Sequence, residues 1–493
     1  MKNLLLLLSL LITTKAFNQN VYTDTTFNIR IQPKILYAID TNYVGRPDSL
    51  FMDLYKPIGD NNRFRPVLII VHGGAWMFGA PTDAEVVTLA TYMAKRGYAV
   101  AAIKYRLGMH MNSNVPNPLL RDPLNPNDQN PSQCIYPADT SEIIRGNYRG
   151  MQDTKSAIRF VKARHLQDST CLLNYYVAGY SAGAFVTLLT GLMDNATEKP
   201  IDAFALPDAP APDTKLTFCK NLNNPITYPV TRTRPDLGSV DGRTNMNGYT
   251  AKIKGVASMY GGLMDRANVL NILQGVDTPS IFMFHQECDI IVPFVRAPGN
   301  APFNVNCLPL IAITPPFQNY TPVTQVPWFL GSKYLDTYFS SLPTAQKPRY
   351  KFNPVLNGAP SALACLASPP CHSVPNVIAL SDSIAKFFKP VIIATENSTT
   401  TNCLLATPII DVIYRNPVYV YPNPFVQSIT VSLPLPNSKL EYQLYDTYGR
   451  LVLSKSMIYT TSFTINNLGN LPHGFYALHL NTYQGIIVKK LLK

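Results

Sequence analysis

No stretch of this 493-residue sequence stays apolar for the roughly 20 residues that a membrane-crossing helix requires. The run Leu4–Ile12 is too short, and every later candidate is broken by charge or proline. Cys-x-x-Cys pairs and His-Glu-x-x-His strings are both absent, so a zinc site lacks its usual spacings. Charged residues make up only 15% of the chain, and the formal charge of +12 is scattered along it. Without a basic helix or an aromatic-basic stripe, nucleic acid is not an expected partner. A milder attraction to anionic surfaces is all that the charge supports. Neither a metal nor an organic cofactor is expected.

What is present describes a globular chain, 46% hydrophobic, too long for one core to organise. Residues 1–16 read as a cleaved export signal: Lys2, the apolar run Leu4–Ile12, then the small-residue site Thr14-Lys15-Ala16. Export into an oxidising compartment lets the eight cysteines pair, without revealing which with which. Cys288 and Cys371 each precede a residue assigned below to catalysis, so a bridge between those loops is one option. A short Cys365–Cys371 closure is the other.

Residues 17–390 alternate buried strands with helices, the pattern of a mostly parallel sheet covered on both faces. Val67–Val71 and Tyr98–Ile103 read as fully buried strands, and Tyr175–Ala178 as a strand turning sharply into a helix. Ile253–Met259, Ser280–Phe284 and Arg349–Leu356 read as further strands. Helices are expected over Ala84–Lys95, Asn147–His165, Gly331–Ser341 and Val374–Phe388. Long Pro- and Asn-rich insertions near 109–146, 195–250 and 297–328 suit either lids or surface decoration. Residues 391–414 contain the polar string TENSTTTN and read as linker. Over 415–493 short alternating segments between Pro, Asn and Gly turns predict a small antiparallel β-sandwich.

Two strings carry chemistry. Gly179-Tyr180-Ser181-Ala182-Gly183 is the G-x-S-x-G turn that exposes a nucleophilic serine above a sheet's carboxyl edge. His72-Gly73-Gly74-Ala75-Trp76 ends the Val67–Val71 strand, where adjacent glycines bring backbone amides close to a developing oxyanion. The amide of Ala182 should be the companion donor. Of seven histidines, His372 is the expected base, because it follows the last core strand and opens the last core helix. Asp289 is the expected orienting acid, with Glu287 and Asp265 as rivals. Trp76 and Tyr180 stand beside the oxyanion turn and the nucleophile, as walls of an acyl pocket or as packing.

Over roughly residues 50–390 these motifs resemble the α/β-hydrolase superfamily, within it the carboxylesterases and lipases with a His-Gly-Gly oxyanion loop. The resemblance rests on HGGAW at 72–76, GYSAG at 179–183, HQECDIIVP at 285–293 and His372, in that order. It implies an eight-stranded, mostly parallel sheet and a two-step acyl-enzyme mechanism on an ester substrate. One position departs from the family pattern: Gln286 stands where a glycine usually follows the histidine.

The C-terminal segment is similar to the type A sorting domain of the type IX secretion system. The matching strings are Val420–Phe425, Tyr445–Arg450, Leu471–Tyr476 and Val488–Lys493. That resemblance implies a secretion machine as partner and a product released or attached at the cell surface. Three readings compete. A secreted serine ester hydrolase comes first, then a peptidase of the same fold, though 17–50 leaves no room for an N-terminal propeller. A non-catalytic binding protein comes last, since all three triad positions are filled.

Overall fold

The computed structural model describes residues 21–110, 137–210, 232–265, 278–289, 291–298, 327–356, 371–392, 403, 418–437, 440–457, 460–482 and 485–493. The expected leader, most of the three insertions and most of the linker lie outside the described residues. The chain divides into two compact units. The first is Met1–Thr244 with Ala251–Asn397, the second Ser398–Lys493 with Asn245–Thr250.

An eight-stranded sheet organises the first unit. Its spatial order is Asn28–Thr41, Pro47–Ile58, Ala99–Ile103, Arg65–Val71, Thr170–Tyr180, Gly255–Met259, Ser280–Gln286, Tyr350–Val355. The first two strands form an antiparallel hairpin, and Pro47–Ile58 also pairs antiparallel with Ala99–Ile103. From Ala99–Ile103 onward every neighbour is parallel. The expected mostly parallel sheet of eight strands is present.

Alternation of side chains gives the sheet its two cores. Val67, Ile69 and Val71 face one cluster, while Leu68 and Ile70 face the other, and all five are fully buried. Helices Thr140–Ala163 and Ala182–Leu192 cover the first face, and helices Ala84–Ala94 and Val377–Phe388 the second. Burying each such aliphatic side chain is worth about 1.5–3 kcal/mol, so the central strands hold the frame on which the site is built.

The helix expected from Asn147 begins seven residues earlier, at Thr140. Asp139 caps it, accepting a hydrogen bond from the Ser141 amide at 3.0 Å. Gly146 and Gly150 weaken the helical signal for a packing reason. A Cβ at Gly146 would sit 3.3 Å from the Trp76 Cβ, and one at Gly150 would sit 2.7 Å from Val186. Their bare backbone lets this helix press against the oxyanion turn and the helix after the nucleophile.

The second unit contains a three-stranded antiparallel sheet (Tyr419–Tyr421, Ile429–Asn437, Thr460–Ile465) and a four-stranded one (Leu451–Met457, Leu440–Asp446, Phe475–Thr482, Gly485–Leu492). Val431, Leu444, Phe463, Leu478 and their neighbours form its common core. This is the expected small sandwich.

Candidate active site

The nucleophile candidate emerges where two central elements meet. Strand Thr170–Tyr180 lies between Arg65–Val71 and Gly255–Met259 and ends one residue before Ser181. Helix Ala182–Leu192 starts one residue after it. Ser181 absorbs the whole reversal in a left-handed conformation, φ 51° and ψ −121°. Such a backbone costs on the order of 1–3 kcal/mol and persists only where its surroundings over-determine it. Those surroundings are visible: the Ser181 amide donates to Met259 O at 3.0 Å, and Ser181 O accepts from the Ala184 and Phe185 amides. The flanking glycines are sterically required. A Cβ at Gly179 would lie 2.2 Å from Gly183 O, and one at Gly183 would lie 2.3 Å from Val71 O.

The His72–Trp76 turn packs against this elbow. A Cβ on Gly73 would approach Tyr180 O to 3.1 Å and the Ser181 Cβ to 3.3 Å, so the turn runs directly beside the hydroxyl. Gly74 (φ 104°), Ala75 (φ 50°) and Trp76 (φ 61°) are all left-handed, a tight coil closed by Met77 and Phe78 amides donating to Gly74 O. Among the described residues, the Gly74 and Ala182 amides meet no protein acceptor. One lies in the turn packed against the elbow and the other immediately follows Ser181.

His372 and Asp289 complete the cluster. The Ser181 Oγ lies 2.8 Å from His372 Nε2. On the other side of the ring, His372 Nδ1 donates to Asp289 Oδ2 at 2.8 Å. Asp289 is completely buried and also accepts from the Ile291 and Val292 amides at 2.8 and 2.9 Å. Burial pushes its carboxyl up most strongly. The charge of His372 and the hydrogen bonds from His285 and His372 outweigh burial and bring it down to about 2. It is therefore an anion at any physiological pH, and accepts only.

Four features around this cluster were not anticipated from the residues. His285 approaches the same carboxylate from the opposite side, 3.1 Å from Asp289 Oδ2. The Tyr260 ring lies 4.4 Å from the His372 ring, and its hydroxyl donates to Glu85. Burial, then Glu85, push the Tyr260 phenol above its ordinary value and keep it a donor. Glu85 also accepts from the Val374 amide at 3.4 Å, just beyond His372. Gln286, the departure from the family pattern, is used: its Oε1 accepts from the Ser373 amide at 3.3 Å.

Of the two rivals for the acid, Asp265 pairs with Arg296 at 2.6 Å. Glu287, one residue past the strand end, has its amide tied to Val355 O.

Trp76 and Tyr180 are buried, 3% and 2% exposed. The Trp76 Nε1 donates to Asn147 Oδ1 at 3.2 Å, and its ring meets Phe185 and Phe329 edge-on. The Tyr180 hydroxyl donates to Glu85 O on the opposite face of the sheet. These contacts are those of packing, the alternative that the sequence left open for both.

Of the two cysteine pairings considered, the structure contains Cys288–Cys371, with Cα atoms 5.4 Å apart. The bridge closes a loop of 83 residues and ties the residue before Asp289 to the residue before His372. In the chain-entropy account such a loop is worth about 4.5 kcal/mol. Replacing both cysteines by serine should lower the unfolding free energy by several kcal/mol in a denaturant titration. An unchanged transition midpoint would contradict this.

Two family models match parts of the chain. Residues 52–118, which include the His72–Trp76 turn, match BD-FAE, an α/β-hydrolase esterase domain. Residues 419–493 match a secretion system C-terminal sorting domain. No curated protein matches the chain. A truncated carbohydrate esterase from gut microbiota is 14% identical, over 74% of this chain and 98% of that one, with a TM-score of 0.38. Thermogutta terrifontis esterase 2 phosphorylated by paraoxon is 14% identical, over 74% of this chain and 96% of that one, at 0.37. A structure of esterase B from Lactobacillus rhamnosis with a tributyrin phosphonate is 14% identical, over 79% and 94%, at 0.37.

The first unit thus has an esterase-like α/β-hydrolase fold. The C-terminal sorting domain marks the chain for export to the cell surface or secretion. Among the described residues, no helix is long and apolar enough to cross a membrane.

Proposed function

We propose that the exported chain hydrolyses carboxylic esters through a Ser181–His372–Asp289 triad and an acyl-enzyme intermediate. The observation that carries this reading is the position of one imidazole. His372 stands 2.8 Å from the Ser181 Oγ at Nε2 and 2.8 Å from a buried carboxylate at Nδ1. Because Asp289 accepts only, the His372 hydrogen sits on Nδ1 and Nε2 is left with its lone pair facing the serine hydroxyl.

His372 Nε2 takes the Ser181 proton as the Oγ attacks the ester carbonyl carbon. The carbonyl oxygen becomes an oxyanion between the amides of Gly73, Gly74 and Ala182. The imidazolium formed is held by Asp289 and gives its proton to the departing alcohol. Water then enters, gives a proton to His372 and attacks the acyl carbon; the acyl–Oγ bond breaks, the His372 proton passes to the Ser181 Oγ, and the acid leaves. The strained elbow, anchored to Met259 O, holds the hydroxyl in place before substrate arrives.

The substrate class in this proposal is an ester carried on material outside the cell: polysaccharide-linked acyl groups, lipid or polyester. A panel of aryl esters of increasing acyl length, paired with the matching anilides, tests the proposal. Turnover of short or medium esters, with anilides at least roughly a hundredfold slower, is the expected result. Anilides cleaved as fast as esters would favour the peptidase.

A further inference from the structure

Asp289 is flanked by two imidazoles, and only one of them reaches Ser181. The second, His285, is the penultimate residue of the strand Ser280–Gln286 and has no exposed surface. Its Nε2 lies 3.1 Å from Asp289 Oδ2 and 3.2 Å from Val292 O. A carboxylate and a carbonyl both accept, so His285 Nε2 must carry a hydrogen. Its Nδ1 lies 3.0 Å from Ser332 Oγ, at the start of the helix Ser332–Ser341. The Ser332 Oγ stands between that Nδ1 and the Gly261 carbonyl oxygen, 3.2 Å away, and so ties the ring to the backbone. Ser332, itself fully buried, thereby sets the orientation of the ring whose Nε2 faces Asp289. The edge of the Phe294 ring closes the pocket around His285 at 5.5 Å.

The geometry points to His285 as a positioning residue for the reaction. We infer that its Nε2–H, oriented by Ser332, fixes the Asp289 carboxylate in the rotamer that meets His372. This inference rests on the triad proposed above. It makes the constellation a five-member chain, Ser332–His285–Asp289–His372–Ser181, whose successive contacts are 3.0, 3.1, 2.8 and 2.8 Å. The Oδ2 atom shared by both rings is the hinge of that chain. Without His285, Oδ1 keeps the Ile291 and Val292 amides and His372 Nδ1 at 3.0 Å, while Oδ2 keeps His372 Nδ1 alone and loses the second contact that sets its angle. A histidine serving only as core filling has no need to aim Nε2–H at the acid.

His285→Leu removes the donor, whereas His285→Gln keeps one. The Gln amide nitrogen reaches the place of Nε2 and its carbonyl can face Ser332. With a short-chain aryl ester, His285→Leu should lose roughly 100-fold in kcat with little change in KM, the cost of an ångström-scale misplacement. His285→Gln should recover most of that loss, to within about fivefold of the parent. Ser332→Ala, which leaves the imidazole and its packing in place, should lose about tenfold in kcat at an unchanged melting temperature. It decides the matter if His285→Leu fails to fold. Equal losses in the Leu and Gln variants, full activity in His285→Leu, or an unaffected Ser332→Ala each overturn the inference. Ser181→Ala separates it from the triad itself. An inactive Ser181→Ala beside a fully active His285→Leu leaves the triad standing without His285, and an active Ser181→Ala removes both.

Discussion

Replacing Ser181 by alanine is expected to lower kcat on a short-chain aryl ester by roughly four to six orders of magnitude, leaving the fold unchanged. The reaction loses its only acyl acceptor, since no other hydroxyl stands within hydrogen-bond reach of His372 Nε2 among the described residues. What survives is the residual effect of the oxyanion donors acting on water. Stability should hold within about 1 kcal/mol, because the Ser181 backbone, not its side chain, makes the contacts to Met259, Ala184 and Phe185. A glycine variant goes further: at φ 51° it relieves strain, so it should be equally inactive yet about 1 kcal/mol more stable than Ala. Comparing kcat and the melting temperature of the three proteins checks both statements.

The second large effect belongs to Asp289→Asn, expected to cost about 10⁴ in kcat. Its argument is one of hydrogens. Both carboxylate oxygens face donors: Oδ1 meets the Ile291 and Val292 amides, Oδ2 meets His285 Nε2, and His372 Nδ1 lies 2.8 Å from Oδ2 and 3.0 Å from Oδ1. An Asn side chain must place its NH₂ in one of those positions. Set toward the imidazoles, it forces His372 Nδ1 to accept, which puts the ring hydrogen on Nε2 and leaves nothing to take the Ser181 proton. Set toward the loop amides, it opposes two buried N–H groups and strains the turn that holds the acid. The two orientations predict different companions to the lost activity. The first leaves the melting temperature nearly intact, and the second lowers it. An Asn variant within tenfold of the parent kcat would remove Asp289 from the role assigned to it.

How much of this was legible in the residues follows from how local each constraint is. Gly179 and Gly183 are dictated by backbone atoms one turn or one strand away, so the elbow is written in five consecutive letters. Gly73 is similar: its neighbour is the Ser181 elbow itself, while Gly74 is dictated by Phe78 O four residues on. The N-terminal hairpin is the opposite case. Asn28–Thr41 is largely exposed and its pairing slips at Gln32/Ile35 and Leu36/Ala38, so no strict alternation marks it. Strands Gly262–Met264, Arg296–Pro298 and Trp328–Gly331 are too short to show a period at all.

Within the site, His372 was reachable by elimination, but His285 was not. It reads as a strand residue, and its meaning depends on the turn that carries Asp289 back beside it. Only the i, i+4 spacing of His285 and Asp289 hints at the contact. Gln286 is a further lesson. Where the family pattern has glycine, a side chain has found an acceptor's role on the Ser373 amide, so the departure binds the base loop instead of disturbing it.

Every proposed step needs the Ser181 hydroxyl to be activated by His372 alone. Treating the intact protein with a fluorophosphonate and mapping the adduct by peptide mass spectrometry tests this directly. A single modification on Ser181, in step with loss of esterase activity and absent from His372→Ala, is the result expected. Ester hydrolysis that survives full labelling, or an adduct on any other residue, would contradict it.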